Sequence, residues 1–178
     1  MTSMGFCRCC RLVQPLEPNP EGARVAGWCQ TCGYPVAAGV AAPGAPLPGP
    51  PTVLCIDDDR LVLSVCYDAL AEHGYRVLTA TDGPTGLATA TRDRPDLILL
   101  DVIMPGMDGL TVCRRLRAEP TLTATPIILL TALSHPEVAD EGRQAGATLT
   151  MRKPYGPELI ASTVDQALGR KPRPRRRL

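Results

Sequence analysis

The chain has 178 residues, is 44% hydrophobic and carries a formal net charge of +1. That length suits one ordinary domain with extensions, or two small domains. No apolar run approaches the ~20 residues that span a bilayer, and the opening MTSMGFCRCC lacks the charged-then-apolar order of a secretory signal. These features predict a cytoplasmic protein with no membrane partner. Its eight cysteines are then not a disulfide framework, because the cytosol keeps thiols reduced.

The small net charge conceals an uneven distribution. Residues 52–169 carry ten Lys/Arg against sixteen Asp/Glu, a net of −6, while the last nine residues, RKPRPRRRL, carry six basic charges. Such splits mark separate modules.

Residues 1–35 hold five of the eight cysteines, the only Trp and the only Phe. FCRCC and WCQTCG set Cys7-x-x-Cys10 and Cys29-x-x-Cys32 eighteen residues apart. This is the spacing of a four-cysteine zinc site, in which four thiolates complete a tetrahedron. Phe6 and Trp28 precede the two pairs, and Gly33 follows the second where a tight turn needs a permissive backbone. The segment resembles a zinc ribbon and is predicted to fold only with Zn²⁺ bound. Arg11 stands where that pattern has Gly after the first pair, and Cys9 is a spare thiol. Two lesser alternatives stay open in the sequence, an iron–sulfur cluster and a metal-free tail with incidental cysteines. Residues 36–51, VAAGVAAPGAPLPGPP, cannot bury a core and read as a linker.

From Thr52 short apolar runs alternate with amphipathic stretches. TVLCI precedes LVLSVCYDALAEHG, RVLTA precedes GPTGLATATRD, and DLILL precedes DGLTVCRRLRAE. PIILL then precedes PEVADEGRQAG, and TLTM precedes GPELIASTVDQALG. Five strand–helix units argue for an α/β fold with a parallel sheet covered on both faces. The runs at 97–100 and 127–130 are apolar throughout, as in strands buried on both sides. The stretch 170–178 reads as a solvated basic tail.

In such a sheet, ligands bind beyond the carboxyl ends of the strands. Asp57, Asp58 and Asp59 follow the first strand, Asp101 the third, Thr131 the fourth and Lys153 the fifth. Clustered carboxylates are costly unless a cation or proton neutralises them. Hard oxygen ligands suit Mg²⁺, and an aspartate can attack phosphorus to give an acyl phosphate. Taken singly, Asp101 reads as well as a turn residue, Thr131 as a strand end, and Asp59 better as the cap of the following helix. On one rim together, the groups point to phosphoryl chemistry.

LCIDDD, LILLDVIMPGMDG, IILLTA and TMRKPY, in that order, resemble the receiver domain of bacterial two-component response regulators over residues 52 to about 168. The resemblance implies a doubly wound, flavodoxin-like five-stranded sheet of order 2-1-3-4-5. It also implies that Asp101 accepts a phosphoryl group from a sensor histidine kinase or phosphotransfer protein. Asp57, Asp58, Asp101 and the backbone carbonyl of Ile103 would hold Mg²⁺. Thr131 would bind the phosphoryl group and switch orientation. Lys153 would pair with carboxylate or phosphate, with a cis peptide bond to Pro154. Many members have an aromatic residue three positions before the lysine; Thr150 stands there. Tyr155 takes a place often held by Phe and reads as packing, while Cys55, Cys66 and Cys113 read as buried small hydrophobes.

The expected function is a phosphorelay regulator rather than an enzyme, acting through an unidentified downstream protein. One rival is a nucleic-acid-binding regulator whose zinc ribbon and basic tail touch phosphates. Another is a phosphatase-like enzyme with the same acidic chemistry, against which the KP and DVIMPGMDG motifs argue.

Overall fold

The structure, a computed structural model, describes residues 50–132 and 136–170 together with four short strands near the N-terminus. Those strands are Met4–Phe6 (β1), Val13–Pro18 (β2), Gly27–Cys29 (β3) and Pro35–Val36 (β4). They form one antiparallel sheet in chain order. Phe6 pairs with Val13, Leu16 with Cys29, and Trp28 with Pro35. Of the four expected metal ligands, Cys7, Cys10 and Cys32 lie outside the described residues, as do tail residues 171–178.

The second sheet contains Thr52–Ile56 (β5), Arg76–Ala80 (β6), Leu97–Asp101 (β7), Ile127–Thr131 (β8) and Leu149–Arg152 (β9). All neighbours are parallel, in the order β6-β5-β7-β8-β9. This is the 2-1-3-4-5 order expected from the sequence. The intervening and final helices are Arg60–Glu72 (α1), Gly83–Asp93 (α2), Gly109–Ala118 (α3), Pro136–Gln144 (α4) and Pro157–Ala167 (α5).

Side-chain alternation divides the strands between two layers. Leu54, Ile56, Ile98, Leu100, Ile127 and Leu129 join Ala90 of α2 and Val112, Cys113 and Leu116 of α3 in one core. The intervening residues Val53, Cys55, Leu97 and Leu99 face the opposite side, and α1 buries Leu63, Cys66, Ala69 and Leu70. Every residue of β7 and β8 is buried. Their continuous apolar runs follow from helices covering both faces. Each fully buried Leu or Ile contributes about 1.5–3 kcal/mol. Truncating Leu100 to Ala would cost about 2–5 kcal/mol.

Aspartates begin the first three helices. Asp59 accepts from Leu61 N–H at 2.8 Å, Asp82 from Thr85 N–H at 2.7 Å, and Asp108 from Thr111 N–H at 2.7 Å. The expected capping role of Asp59 is therefore observed, and it satisfies a donor that the first helical turn leaves open. One residue departs from the expected solvated tail. Arg170 is buried, its N–H donates to the Asp165 carbonyl at 2.6 Å, and its guanidinium pairs with the Asp165 carboxylate at 3.5 Å.

Candidate functional site

The carboxyl ends of β5, β7, β8 and β9 bring the site together. Directly after β5, the Asp57 N–H donates to the Ala80 carbonyl of β6 at 3.1 Å. The Asp57 carboxylate accepts from Asp59 N–H at 2.9 Å, a tight local turn that aims Asp57 inward and leaves Asp58 exposed. Asp101 is the last residue of β7 and is buried. Thr131 is the last residue of β8 and is also buried; its carbonyl accepts from Lys153 N–H at 2.7 Å. The Lys153–Pro154 peptide bond is cis.

Two distances define the centre. Lys153 Nζ lies 2.7 Å from Asp57 Oδ2 and 2.7 Å from Asp101 Oδ1. One ammonium thus bridges two buried carboxylates. Asp57, Asp58 and Asp101 each offer an oxygen, and these atoms lie within 4.8 Å of one another. The donor set is all carboxylate oxygen, which fits a hard divalent cation such as Mg²⁺ and offers nothing to a soft one. Ile103 follows in the loop after β7; its side chain is exposed and its backbone N–H bonds to the Asp101 carboxylate.

The electrostatics follow from this packing. Burial pushes the Asp101 carboxyl above its ordinary range, and the nearby Asp57 charge adds to this. The Lys153 and Ile103 hydrogen bonds offset only part of the rise. For Lys153, burial alone would favour the neutral amine. Its bonds to Asp101 and Asp57 outweigh that, so its affinity for the proton rises. A buried carboxylate that resists charge is poised to gain from a cation. The N-termini of α1 and α3, capped by Asp59 and Asp108, open on the same rim, where the helix dipoles favour negative charge.

Several features were not individually legible. Gly109, which in sequence is only the second residue of the amphipathic stretch DGLTVCRRLRAE, begins α3 directly against the Asp101 peptide. The Tyr155 hydroxyl is buried and has no hydrogen-bond partner among the described residues, which agrees with a packing role for its ring. Cys55 and Cys66, expected as core residues, share a thiol–thiol hydrogen bond that holds the Cys55 proton firmly. Their positions on a strand and a helix gave no sign of pairing. Thr150 is half-buried on β9, and its hydroxyl leaves no room for a side chain at Gly142 of α4.

The family model of the response regulator receiver domain matches residues 53–165. The chain belongs to this family. It is 43% identical over 112 residues to the response regulator PleD of Caulobacter vibrioides, covering 63% of this chain and 25% of PleD. It is 40% identical over 122 residues to the response regulator MprA of Mycobacterium leprae, covering 68% and 52% of the two chains. Among solved structures it resembles chemotaxis protein CheY4 of Vibrio cholerae, with a TM-score of 0.65 and 35% identity over 67% of this chain and 99% of that one. The chain spans between a quarter and about half the length of the curated relatives it matches. No helix among the described residues is long and apolar enough to cross a membrane.

Proposed function

We propose that the protein is a phosphorelay response regulator that accepts a phosphoryl group on Asp101 from the phosphohistidine of a sensor kinase or phosphotransfer protein. The observation that carries this reading is the convergence of Asp57, Asp58 and Asp101 around the Lys153 ammonium. An Asp101 carboxylate oxygen attacks phosphorus, the phosphorus–nitrogen bond breaks, and its electron pair returns to the donor imidazole. Asp57 and Asp58, with Asp101 and the Ile103 carbonyl, would hold Mg²⁺. When bound, the ion supplies positive charge against the phosphoryl oxygens. Lys153 supplies a second positive charge and keeps Asp101 oriented. The Thr131 hydroxyl, at the end of the adjacent strand, is suited to hydrogen-bond the new phosphoryl group. Signalling then runs through contact with a downstream protein in the cytoplasm.

The test is incubation with Mg²⁺ and a small phosphodonor, comparing wild type with Asp101→Asn. Alkali-labile, acid-stable phosphate is expected on the wild type alone. Equal labelling of the variant rejects Asp101 as the acceptor.

A second reading concerns residues 1–35, taken as a module separate from the receiver at 52–169 and joined to it by the linker 36–51. We read Cys7, Cys10, Cys29 and Cys32 as a structural Zn²⁺ site. The reading rests on the sequence, in which two Cys-x-x-Cys pairs stand eighteen residues apart. Metal analysis of the purified chain, with and without Cys29→Ser and Cys32→Ser, tests this; a metal-free wild type rejects it. The nucleic-acid alternative rests on the zinc ribbon together with the basic tail, and nothing among the described residues adds to it.

A further inference from the structure

We infer that Gly109 is a positioning residue for the acidic site, because its missing side chain lets α3 begin directly on the Asp101 peptide. A Cβ at Gly109 would stand 2.0 Å from the Asp101 carbonyl oxygen. It would also stand 2.9 Å from the Asp101 carbonyl carbon and 2.9 Å from Val102 Cα. All three obstructing atoms are backbone, so no rotamer change can clear them. The glycine is required for space rather than for a left-handed conformation.

The close approach closes a loop that carries the site. Gly109 N–H donates to the Val102 carbonyl at 2.9 Å, and Val102 N–H donates to the Leu130 carbonyl of β8 at 2.9 Å. The peptides around Asp101 are therefore held from β8 on one side and α3 on the other. Between these fixed points run Ile103 and the loop to Asp108, which caps α3 through Thr111. A side chain at Gly109 must lift the first turn of α3 or rotate the Asp101 peptide. Strand β7 is paired on both sides as far as Leu100, whereas Asp101 at its end is paired with Leu130 of β8, so the Asp101 peptide is where the strand can turn. Lifting α3 moves the Ile103 loop away from the Asp101 carboxylate, and turning the peptide moves that carboxylate relative to Asp57.

Gly106, in the same loop, provides the contrast. Its φ of +76° favours glycine, yet a Cβ there meets nothing within 4 Å. Alanine at Gly106 strains the loop without touching the site.

This inference rests on reading Asp101 as a metal ligand and phosphoacceptor. The experiment measures Mg²⁺ affinity by calorimetry, phosphorylation rate at saturating Mg²⁺, and melting temperature, for full-length wild type, Gly109→Ala and Gly106→Ala. Gly109→Ala should lose about tenfold or more in Mg²⁺ affinity, with a slower phosphorylation rate. Gly106→Ala should lower the melting temperature while keeping both. Wild-type affinity and rate in a folded Gly109→Ala, or equal losses in Gly106→Ala, would overturn the inference. Should Gly109→Ala not fold, Asp108→Ala decides, because it loosens the first turn of α3 without adding bulk. Weakened Mg²⁺ binding there supports the inference, and unchanged binding overturns it. A wild type that neither binds Mg²⁺ nor takes up phosphate rejects the reading of the acidic site itself.

Discussion

The Lys153 ammonium bonds Asp101 Oδ1 at 2.7 Å, the same distance at which it holds Asp57 Oδ2. The carboxylates are almost fully shielded, with side-chain exposures of 6% and 3%. Removing the lysine leaves two buried like charges without their counter-ion. We predict that Lys153→Met destabilises the metal-free protein by about 3 kcal/mol, and that Mg²⁺ binds the variant more tightly because its competitor is gone. Denaturant unfolding with and without Mg²⁺ checks both. A variant as stable as wild type in chelator, with unchanged Mg²⁺ affinity, contradicts the bridging role.

The raised proton affinity of Asp101 gives a pH signature with a defined sign. An acid that holds its proton more tightly when folded disfavours folding above its native pKa. The folded state gains stability as the pH falls through that value, and the gain is complete below the ordinary 3.8. In chelator, Asp101→Asn should therefore be more stable than wild type at neutral pH, and the difference should shrink on acidification. A difference that grows on acidification would mean that native contacts favour the charged form.

The adjacent aspartates should separate by function. Asp59 caps α1 through Leu61 N–H, so Asp59→Ala should cost about 1 kcal/mol of stability and leave Mg²⁺ binding intact. Asp58 is exposed and belongs to the carboxylate triad, so Asp58→Ala should weaken Mg²⁺ binding with little change in metal-free stability. Melting curves and Mg²⁺ titrations of the two variants should show opposite patterns. Loss of Mg²⁺ binding in Asp59→Ala would reject this division.

The approach of α4 to β9 is equally specific. A Cβ at Gly142 would stand 2.9 Å from Thr150 Oγ1 and 2.9 Å from Leu129 Cδ1. Gly142→Ala should cost about 1–3 kcal/mol through overpacking. Adding Thr150→Ala should recover part of that, since it removes one of the two obstructions. Strict additivity of the two substitutions would show that they do not meet.

Much of the fold was legible because patterning and burial agree. The apolar runs at 97–100 and 127–130 are buried strands, and Asp59 begins the helix it was expected to cap. The rim could also be read, since strand ends fix where Asp57, Asp101, Thr131 and Lys153 emerge. Contacts between distant segments could not. Lys153 and Asp57 are 96 residues apart, and nothing local says that one ammonium bonds two carboxylates. Gly109 is one more residue of the stretch DGLTVCRRLRAE until α3 is laid against Asp101. Charge patterning placed Arg170 in a solvated tail because composition cannot register a single buried ion pair with Asp165.

The most direct test of the central claim locates the phosphoryl group by residue. Wild-type protein is incubated with a small phosphodonor, with and without Mg²⁺, then reduced with borohydride and mapped by peptide mass. Reduction at Asp101, dependent on both donor and Mg²⁺, is the predicted result. Reduction at another aspartate, or none under conditions where the protein is folded and Mg²⁺ is bound, would contradict the account.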